Sequence, residues 1–328
     1  MSLLTILLLL QVMLPLGLLT WLVVAPARSR LGWTVQAAAT GVVLLWLHAA
    51  AIWTVPPWWV LWLYAALWAT GVAIGLRRCR RWPAMPHGFS AWSVAVALLA
   101  FGAFAASEAG HALAGRRAPA GPLQAMRFPL AGGTFLVVNG GDDIRINAHL
   151  ESRDLPDPRF KAWRGNGYAV DLVAIDRWGL RASGLQPADN AVYRSFGWPV
   201  LSPCDAVVLT AIDGRPDMTP PESDTLEHLA GNHVMLACGG VHPRVHVVMA
   251  HFRQGSVRVR AGDAVQAGQP IAELGNSGGT EEAHLHIHVQ RPGSTEMPMG
   301  GERLPATYFG RFLVRGDRVT VGTEGQRK

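Results

Sequence analysis

The sequence predicts an α-helical region of four membrane spans followed by a mainly antiparallel β domain. Residues 1–107 contain four long apolar runs and no acidic residue. The rest of the chain instead has short β-like runs separated by Gly, Pro, Asn and Asp. We therefore expect a membrane region at 1–107, a linker rich in Gly, Ala, Pro and Arg at 108–127, and a β domain at 128–328.

The four apolar runs are residues 3–24, 35–54, 58–76 and 89–106. Each has about the 20 residues needed to cross the hydrocarbon core of a bilayer. Basic loops stay in the cytoplasm, and the arginines lie between the first and second runs (28 and 30) and between the third and fourth (77, 78, 80 and 81). Both termini, and with them the β domain, are therefore expected on the outer side of the inner (cytoplasmic) membrane. A cleaved signal peptide is disfavoured because the first run is too long and further spans follow.

The positive charge belongs to the membrane region. Eight of the 29 Lys and Arg residues, but one of the 23 Asp and Glu residues, precede residue 118. The β domain is therefore close to neutral, so a nucleic-acid-binding surface is not indicated.

The three cysteines divide between the two regions. Cys79 lies in the Arg-rich loop, where a free thiol is expected. Cys204 and Cys238 lie in the β domain, and an oxidising compartment would permit a disulfide between them. The sequence leaves this pairing open, because it does not show how close their Cα atoms come.

The β-like runs of the second region are short, and two long irregular segments interrupt them. The segments, residues 151–167 and 213–232, have the length of loops that border functional grooves. The runs are residues 134–139, 144–149, 169–175, 207–212, 233–237, 245–251, 270–274 and 284–290.

The last of these runs predicts a metal site. In a strand, His284, His286 and His288 share one face, while Leu285, Ile287 and Val289 share the other. Neutral imidazoles are the commonest ligands of transition metals in proteins. Asp171 lies within an apolar strand, where a carboxylate must be paired with a cation; a metal ion and an arginine are both possible partners.

Several motifs around these residues resemble those of the lysostaphin/LytM-type zinc endopeptidases, which cut peptidoglycan peptides. Leu274-Gly275-Asn276-Ser277-Gly278 followed by His284-Leu285-His286 resembles the closing signature of that family. Met249-Ala250-His251-Phe252 and residues 259–271 resemble its "YAHL…V..GD.V..GQ.I" run, and residues 199–208 resemble its "PV.AP.DG.V" strand. The resemblance covers about residues 128–290 and none of the membrane region.

The resemblance implies a LytM-like β-sheet peptidase fold, zinc ligation by Asp171 and His286, and catalytic roles for His251 and His284. The first zinc-binding histidine of the family lies four residues before the aspartate, a position that Gly167 occupies here. Either another histidine replaces it, with His149 of Asn147-Ala148-His149 as the candidate, or the site is vacant. A vacant site would make the domain a non-catalytic module that binds cell wall or activates an amidase. We favour His149, because the other three positions are intact.

The sequence also predicts how two further histidines lie relative to the metal site. The family usually has Glu or Gln at the position of His288, so we expect His288 to hydrogen-bond to a ligand rather than bind the metal. His246 has the opposite strand parity to His251 and is expected to face away from the site.

The sequence thus predicts a zinc metalloendopeptidase, anchored by four transmembrane helices, that hydrolyses peptidoglycan peptides in the periplasm. A function in the membrane region itself, with the β domain as a sensor, remains an alternative. The cleaved bond and any protein partner stay open.

Overall fold

The computed structural model describes residues 2–154, 158–239, 245–294 and 297–322. The chain forms two compact units, Met1–Ala114 and Gly115–Lys328.

The first unit contains four helices that are long and apolar enough to cross a membrane, judged by length and composition. Ser29 begins the second helix as an N-cap, since its hydroxyl oxygen accepts a hydrogen bond from the Gly32 amide at 3.1 Å. The helices are α1 (Leu3–Val24), α2 (Arg30–Ala50), α3 (Val60–Cys79) and α4 (Phe89–Ala114).

Helix α1 contains a π-helical segment, Leu9–Met13, immediately before Pro15. Proline has no amide hydrogen, so the Gln11 carbonyl four residues earlier loses its helical donor. The Tyr64 hydroxyl from α3 donates to this carbonyl at 2.9 Å, and the Gln11 side chain donates to Val55 O at 2.7 Å. Such internal pairing is what an apolar environment requires of exposed backbone groups.

The second unit is built on a nine-stranded sheet in the order β13-β2-β3-β10-β7-β6-β5-β8, with β11 also paired to β10. Every pairing within this sheet is antiparallel. Two small sheets join β1 to β12 and β4 to β9. The strands are β1 (Gln124–Met126), β2 (Gly133–Asn139), β3 (Val170–Ile175), β4 (Pro199–Leu201), β5 (Ala206–Ile212), β6 (Asn232–Cys238), β7 (Val245–Phe252), β8 (Ala264–Val265), β9 (Pro270–Glu273), β10 (Leu285–Gln290), β11 (Arg303–Leu304), β12 (Ala306–Tyr308) and β13 (Arg318–Val321).

Short helices connect some of these strands. Two are α-helical, α5 (Glu151–Asp154) and α6 (Pro158–Lys161), and the 3₁₀ helices are Ala148–Leu150, Arg164–Tyr168, Asn190–Val192 and Leu226–His228. Except for residues 144–149, each β-like run of the sequence contains a strand, which confirms the mainly antiparallel β fold.

One face of the large sheet packs into the main apolar core. Leu285, Ile287 and Val289 of β10 are at most 1 % exposed there, beside Val247 and Met249 of β7. A disulfide joins Cys204 to Cys238, whose Cα atoms lie 5.8 Å apart. The opposite face of β10 is left for the histidines.

Two predictions from the sequence differ from the structure. Residues 144–149 form turns and part of a 3₁₀ helix instead of a strand. Here the carbonyl of Asp143 accepts hydrogen bonds from the amides of Ile146 and Asn147, and local bonds of this kind compete with strand pairing. The linker expected at 108–127 is also partly ordered, because the Ala-rich sequence continues α4 to Ala114 and β1 begins at Gln124.

Candidate metal centre

Strands β3 and β10 bring Asp171 and His286 together. The two residues are direct antiparallel partners, so both side chains project from the same face of the sheet. His286 Nδ1 lies 3.1 Å from Asp171 Oδ1. Both residues are buried, at 7 % and 5 % exposure. The alternation of β10 therefore places His286 on the face opposite Leu285, Ile287 and Val289, as the sequence predicts.

His149 reaches this pair from the turn after β2. The Asn147 side chain caps the 3₁₀ helix Ala148–Leu150, and its oxygen also lies 3.0 Å from His149 Nδ1. Because the Asn147 amide group donates to Gly141 O at 3.0 Å, its oxygen is the atom that accepts from His149. His149 therefore turns a bare Nε2 toward Asp171 Oδ2, 3.4 Å away.

Gly167 lies in the 3₁₀ helix Arg164–Tyr168, and the Arg303 side chain occupies the space that a Cβ at this position would need. The structure thus fills this space with an arginine, while His149 approaches Asp171 from another segment.

The His149, Asp171 and His286 side chains form a group that could hold a metal ion, with one ligand atom from each lying within 4.8 Å of the others. Two imidazoles and a carboxylate are a donor set suited to zinc, whose bonds to nitrogen of about 2.0–2.1 Å imply about 3.3 Å between neighbouring ligand atoms in a tetrahedron. His286 Nδ1 lies 3.1 Å from Asp171 Oδ1, and His149 Nε2 lies 3.4 Å from the other oxygen, Oδ2; each distance is close to that value. The residues present therefore fit zinc.

The electrostatics keep Asp171 and His149 in the form that binds a metal ion. Burial alone would raise the pKa of Asp171, but His149, His284 and His286 around it hold this pKa well below its usual value. Burial, partly offset by Asp171, lowers the pKa of His149 to about 4. An ionised carboxylate and a neutral imidazole are the forms that bind a cation.

A buried arginine also supports Asp171. Asn139 donates to Asp171 Oδ2 at 2.9 Å, and Arg315 donates to Asn139 Oδ1 at 2.7 Å. Arg315 further donates to the carbonyls of Val138 and Arg145, both at 2.8 Å. This network ties strand β2 and the His149 turn to the aspartate.

His251 and His284, the predicted catalytic residues, lie side by side with ring centres 4.8 Å apart. His251 Nδ1 is 2.9 Å from Ser277 O, and His284 Nδ1 is 2.9 Å from Glu282 O. A carbonyl only accepts, so each Nδ1 carries the hydrogen and each Nε2 of the neutral ring is bare. Burial lowers the pKa of His251 well below its usual value. His284 Nε2 lies 3.6 Å from Asp171 Oδ1, at the edge of the metal-binding group.

His251 occupies the left-handed region of backbone conformation, with φ of 66°. This conformation is uncommon for a residue with a side chain and clusters at functional sites. It interrupts the alternation of β7, so the expectation that His246 faces away from the site is wrong. His246 pairs directly with Gln290, which places it on the same face as His286 but four residues along the strand.

His288 contacts His286, with its Nδ1 3.0 Å from His286 Nε2. Beyond these rings is a cavity of about 90 Å³. His149, His251 and His286 form one side of it, and its apolar wall is Trp163, Leu229, Ala230, Val248, Ala250 and Met299. Asn166 also lines it, and its buried Oδ1 has no hydrogen-bond partner within the described residues.

The sequence indicated every member of the metal-binding group but missed the residues behind it. Asn139 and Arg315 lie far from Asp171 along the chain, and no spacing pattern links them. Asn147 precedes His149 by two residues, a position from which Asn commonly bonds to the backbone two residues on; that signal could have identified the turn.

The sequence of residues 192–298 matches peptidase family M23. The match includes His251, His284 and His286 and leaves out His149 and Asp171. No curated protein matches the chain significantly.

Among solved structures, the chain is similar to the catalytic domain of the antimicrobial peptidase lysostaphin from Staphylococcus simulans, with 21 % identity over 40 % of this chain and 75 % of that one (TM-score 0.25). It is also similar to a mutant catalytic domain of the prophage-encoded M23 protein EnpA from Enterococcus faecalis, with 20 % identity over 43 % and 78 % of the two chains (TM-score 0.27). A third similarity is to a chain of the SpoIIIAH and SpoIIQ complex, with 15 % identity over 51 % and 92 % (TM-score 0.29).

Proposed function

Because residues 192–298 carry a peptidase family M23 domain, we propose that this protein is a zinc metalloendopeptidase that hydrolyses peptide bonds of peptidoglycan. The grouping of His149, Asp171 and His286 around one point carries the proposal. It supplies three ligands of the kind found in catalytic zinc sites, which keep a fourth position open.

His149 Nε2, an Asp171 oxygen and His286 Nδ1 would hold the ion. When bound there, zinc supplies a Lewis acid that acidifies a water molecule and polarises the scissile carbonyl.

His251 and His284 transfer the proton between the attacking water and the leaving amine. Their bare Nε2 atoms accept a proton from the attacking water and return it to the leaving amine. In the protonated form they also stabilise the negative charge that develops on the substrate oxygen. The Nδ1 hydrogen bonds to Ser277 O and Glu282 O hold both rings in the required tautomer through these steps.

The cavity beside the histidines is a binding position for substrate. Its size and apolar wall suit a small aliphatic side chain next to the scissile bond. Asn166 Oδ1, which has no hydrogen-bond partner within the described residues, offers an acceptor for a substrate amide hydrogen.

We also propose that the β unit lies outside the cytoplasmic membrane, with α1–α4 as its anchor. The basic loops carrying Arg28 and Arg30, and Arg77 to Arg81, favour the cytoplasmic side. The Cys204–Cys238 disulfide is of the kind that persists in an oxidising compartment.

The test uses the full-length protein in detergent, with zinc measured by elemental analysis and cross-linked muropeptides as substrate. We expect one zinc ion per chain and cleavage in the wild type. Replacing His284 by Ala is expected to abolish cleavage but leave zinc bound, whereas Asp171→Ala loses both. A wild type that holds zinc but leaves muropeptides uncut would instead identify a non-catalytic module that binds cell wall or activates an amidase.

A further inference from the structure

A chain of hydrogen bonds runs from His286 to a backbone carbonyl on its far side. His286 Nε2 lies 3.0 Å from His288 Nδ1, and His288 Nε2 lies 3.2 Å from Gln290 Oε1. Gln290 Nε2 then donates to Pro298 O at 2.6 Å. His286, His288 and Gln290 alternate along β10, so all three share the site face.

The bond between Gln290 and Pro298 O determines which atoms donate and which accept along this series of hydrogen bonds. Pro298 O can only accept, so the atom of Gln290 that faces it must be the amide nitrogen. The Gln290 oxygen then faces His288 Nε2, which must carry a hydrogen. A flipped Gln290 amide would bring its oxygen against Pro298 O, where two acceptors repel, and would lose that bond.

Close backbone packing holds the Gln290 side chain in place. The residue is fully buried, and a Cβ on Gly165 would overlap its carboxamide group. Gly165 is itself fixed by a 3.0 Å hydrogen bond from its amide to Met299 O. The Gln290 amide therefore has no room to rotate away.

The hydrogen on His288 Nε2 in turn determines where the hydrogen of His286 lies. With its hydrogen on Nε2, a neutral His288 ring has a bare Nδ1, which accepts from His286 Nε2. The opposite placement of the shared hydrogen would make His288 doubly protonated and charged at 2 % exposure. A charge on a ring buried to this degree is costly, so this arrangement is disfavoured.

We propose that His288 and Gln290 are positioning residues that anchor a hydrogen on His286 Nε2 to the Pro298 carbonyl and so select His286 Nδ1 as the zinc-binding nitrogen. The proposal rests on the zinc site proposed above. It accounts for the orientation of His286 Nδ1 toward Asp171 Oδ1 at 3.1 Å. Outer partners of this kind fix the tautomer and the ring orientation of a ligand.

Zinc affinity of the full-length protein, measured by competition with a chelator, is the first test. His288→Leu removes the acceptor, and Gln290→Met removes the anchor; each is expected to weaken zinc binding by about 10–100-fold. His288→Asn places an oxygen near the position of Nδ1 and is expected to keep the affinity within a few-fold of wild type. Ile287→Val, on the opposite face of the same strand, controls for a general loss of stability. Unchanged affinity in both His288→Leu and Gln290→Met would overturn the proposal.

The second test locates the hydrogen in the wild-type protein itself. In the ¹⁵N spectrum of histidine-labelled wild type, the His286 signals are assigned by their loss in His286→Asn. We expect His286 Nε2 to carry a hydrogen with and without zinc, and an unprotonated Nε2 contradicts the proposal. If the wild type binds no zinc, the proposed function fails, whereas the metal-free spectrum still decides where the hydrogen lies.

Discussion

Replacing His149 by Ala tests whether a residue of a turn completes the zinc site. In the structure its Nε2 lies 3.4 Å from Asp171 Oδ2, and Asn147 holds the ring by its other nitrogen. The substitution leaves Asp171 and His286 as ligands. The His284 ring stays at the edge of the group, where its Nδ1 donates to Glu282 O at 2.9 Å.

The size of the effect follows from the number of ligands. Zinc sites with four protein ligands bind with about 10–16 kcal/mol, so one ligand contributes on the order of 3 kcal/mol. At about 1.4 kcal/mol for each tenfold change, His149→Ala should weaken zinc binding by about 100-fold or more.

The assay is a competition titration of zinc against a chelator, with the full-length protein in detergent. His228→Ala is the matched control, because it removes an imidazole from the 3₁₀ helix Leu226–His228, outside the metal-binding group. Thermal unfolding without zinc shows whether each variant is folded. Wild-type zinc affinity in a folded His149→Ala protein would refute the assignment of His149 as a ligand.

Four further predictions concern the stability of the β unit and the cavity beside its histidines. In the metal-free protein, the free energy of unfolding should fall as the pH decreases from about 6.5 to 4, because the unfolded chain then takes up a proton that His149, with its pKa lowered to about 4, does not; denaturant titrations that show constant or rising stability over this range contradict it. Arg315→Met should lower the free energy of unfolding by about 2 kcal/mol, since the partly buried carbonyls of Val138 and Arg145 lose the hydrogen bonds that Arg315 donates; denaturant unfolding measures this, and a loss below about 1 kcal/mol would show that these bonds add little. Gly167→Ala should cost about 1–3 kcal/mol because its Cβ meets the Arg303 side chain, and a matched Gly239→Ala measures the effect of adding a methyl group that makes only an ordinary 3.5 Å contact with Asp205 O. Ala250→Leu should fill the cavity, so that zinc affinity persists while muropeptide cleavage falls; unchanged cleavage would remove this cavity from the substrate path.

The strands that carry the site could be predicted because their apolar residues alternate or run together over a buried face. Leu285, Ile287 and Val289 identify the core side of β10 and thereby place His286 on the other side. The carboxylate of Asp171 is conspicuous within an apolar strand for the same reason. Packing against a sheet is a periodic requirement, so it is readable from the sequence.

The His149 turn and the conformation of His251 could not be predicted in this way. Residues 144–149 contain β-branched and apolar residues in a strand-like pattern, but local hydrogen bonds accepted by Asp143 O and Asn147 Oδ1 determine their conformation. The left-handed backbone of His251 has no signature in its side chain. The position of His251 depends on a contact with a distant part of the chain, the bond of its Nδ1 to Ser277 O.

The outward nitrogens of the site histidines share one property. His251 and His284 donate to backbone carbonyls, His149 donates to an Asn147 oxygen that is itself fixed, and His286 reaches Pro298 O through two side chains. Each acceptor lacks a hydrogen to give back, so each imidazole is left with one bare nitrogen directed inward. The fold therefore determines which nitrogen of each histidine is free to bind an ion before any ion is present. A variant that breaks one of these anchors should consequently lose metal affinity or catalysis while the strands themselves remain paired.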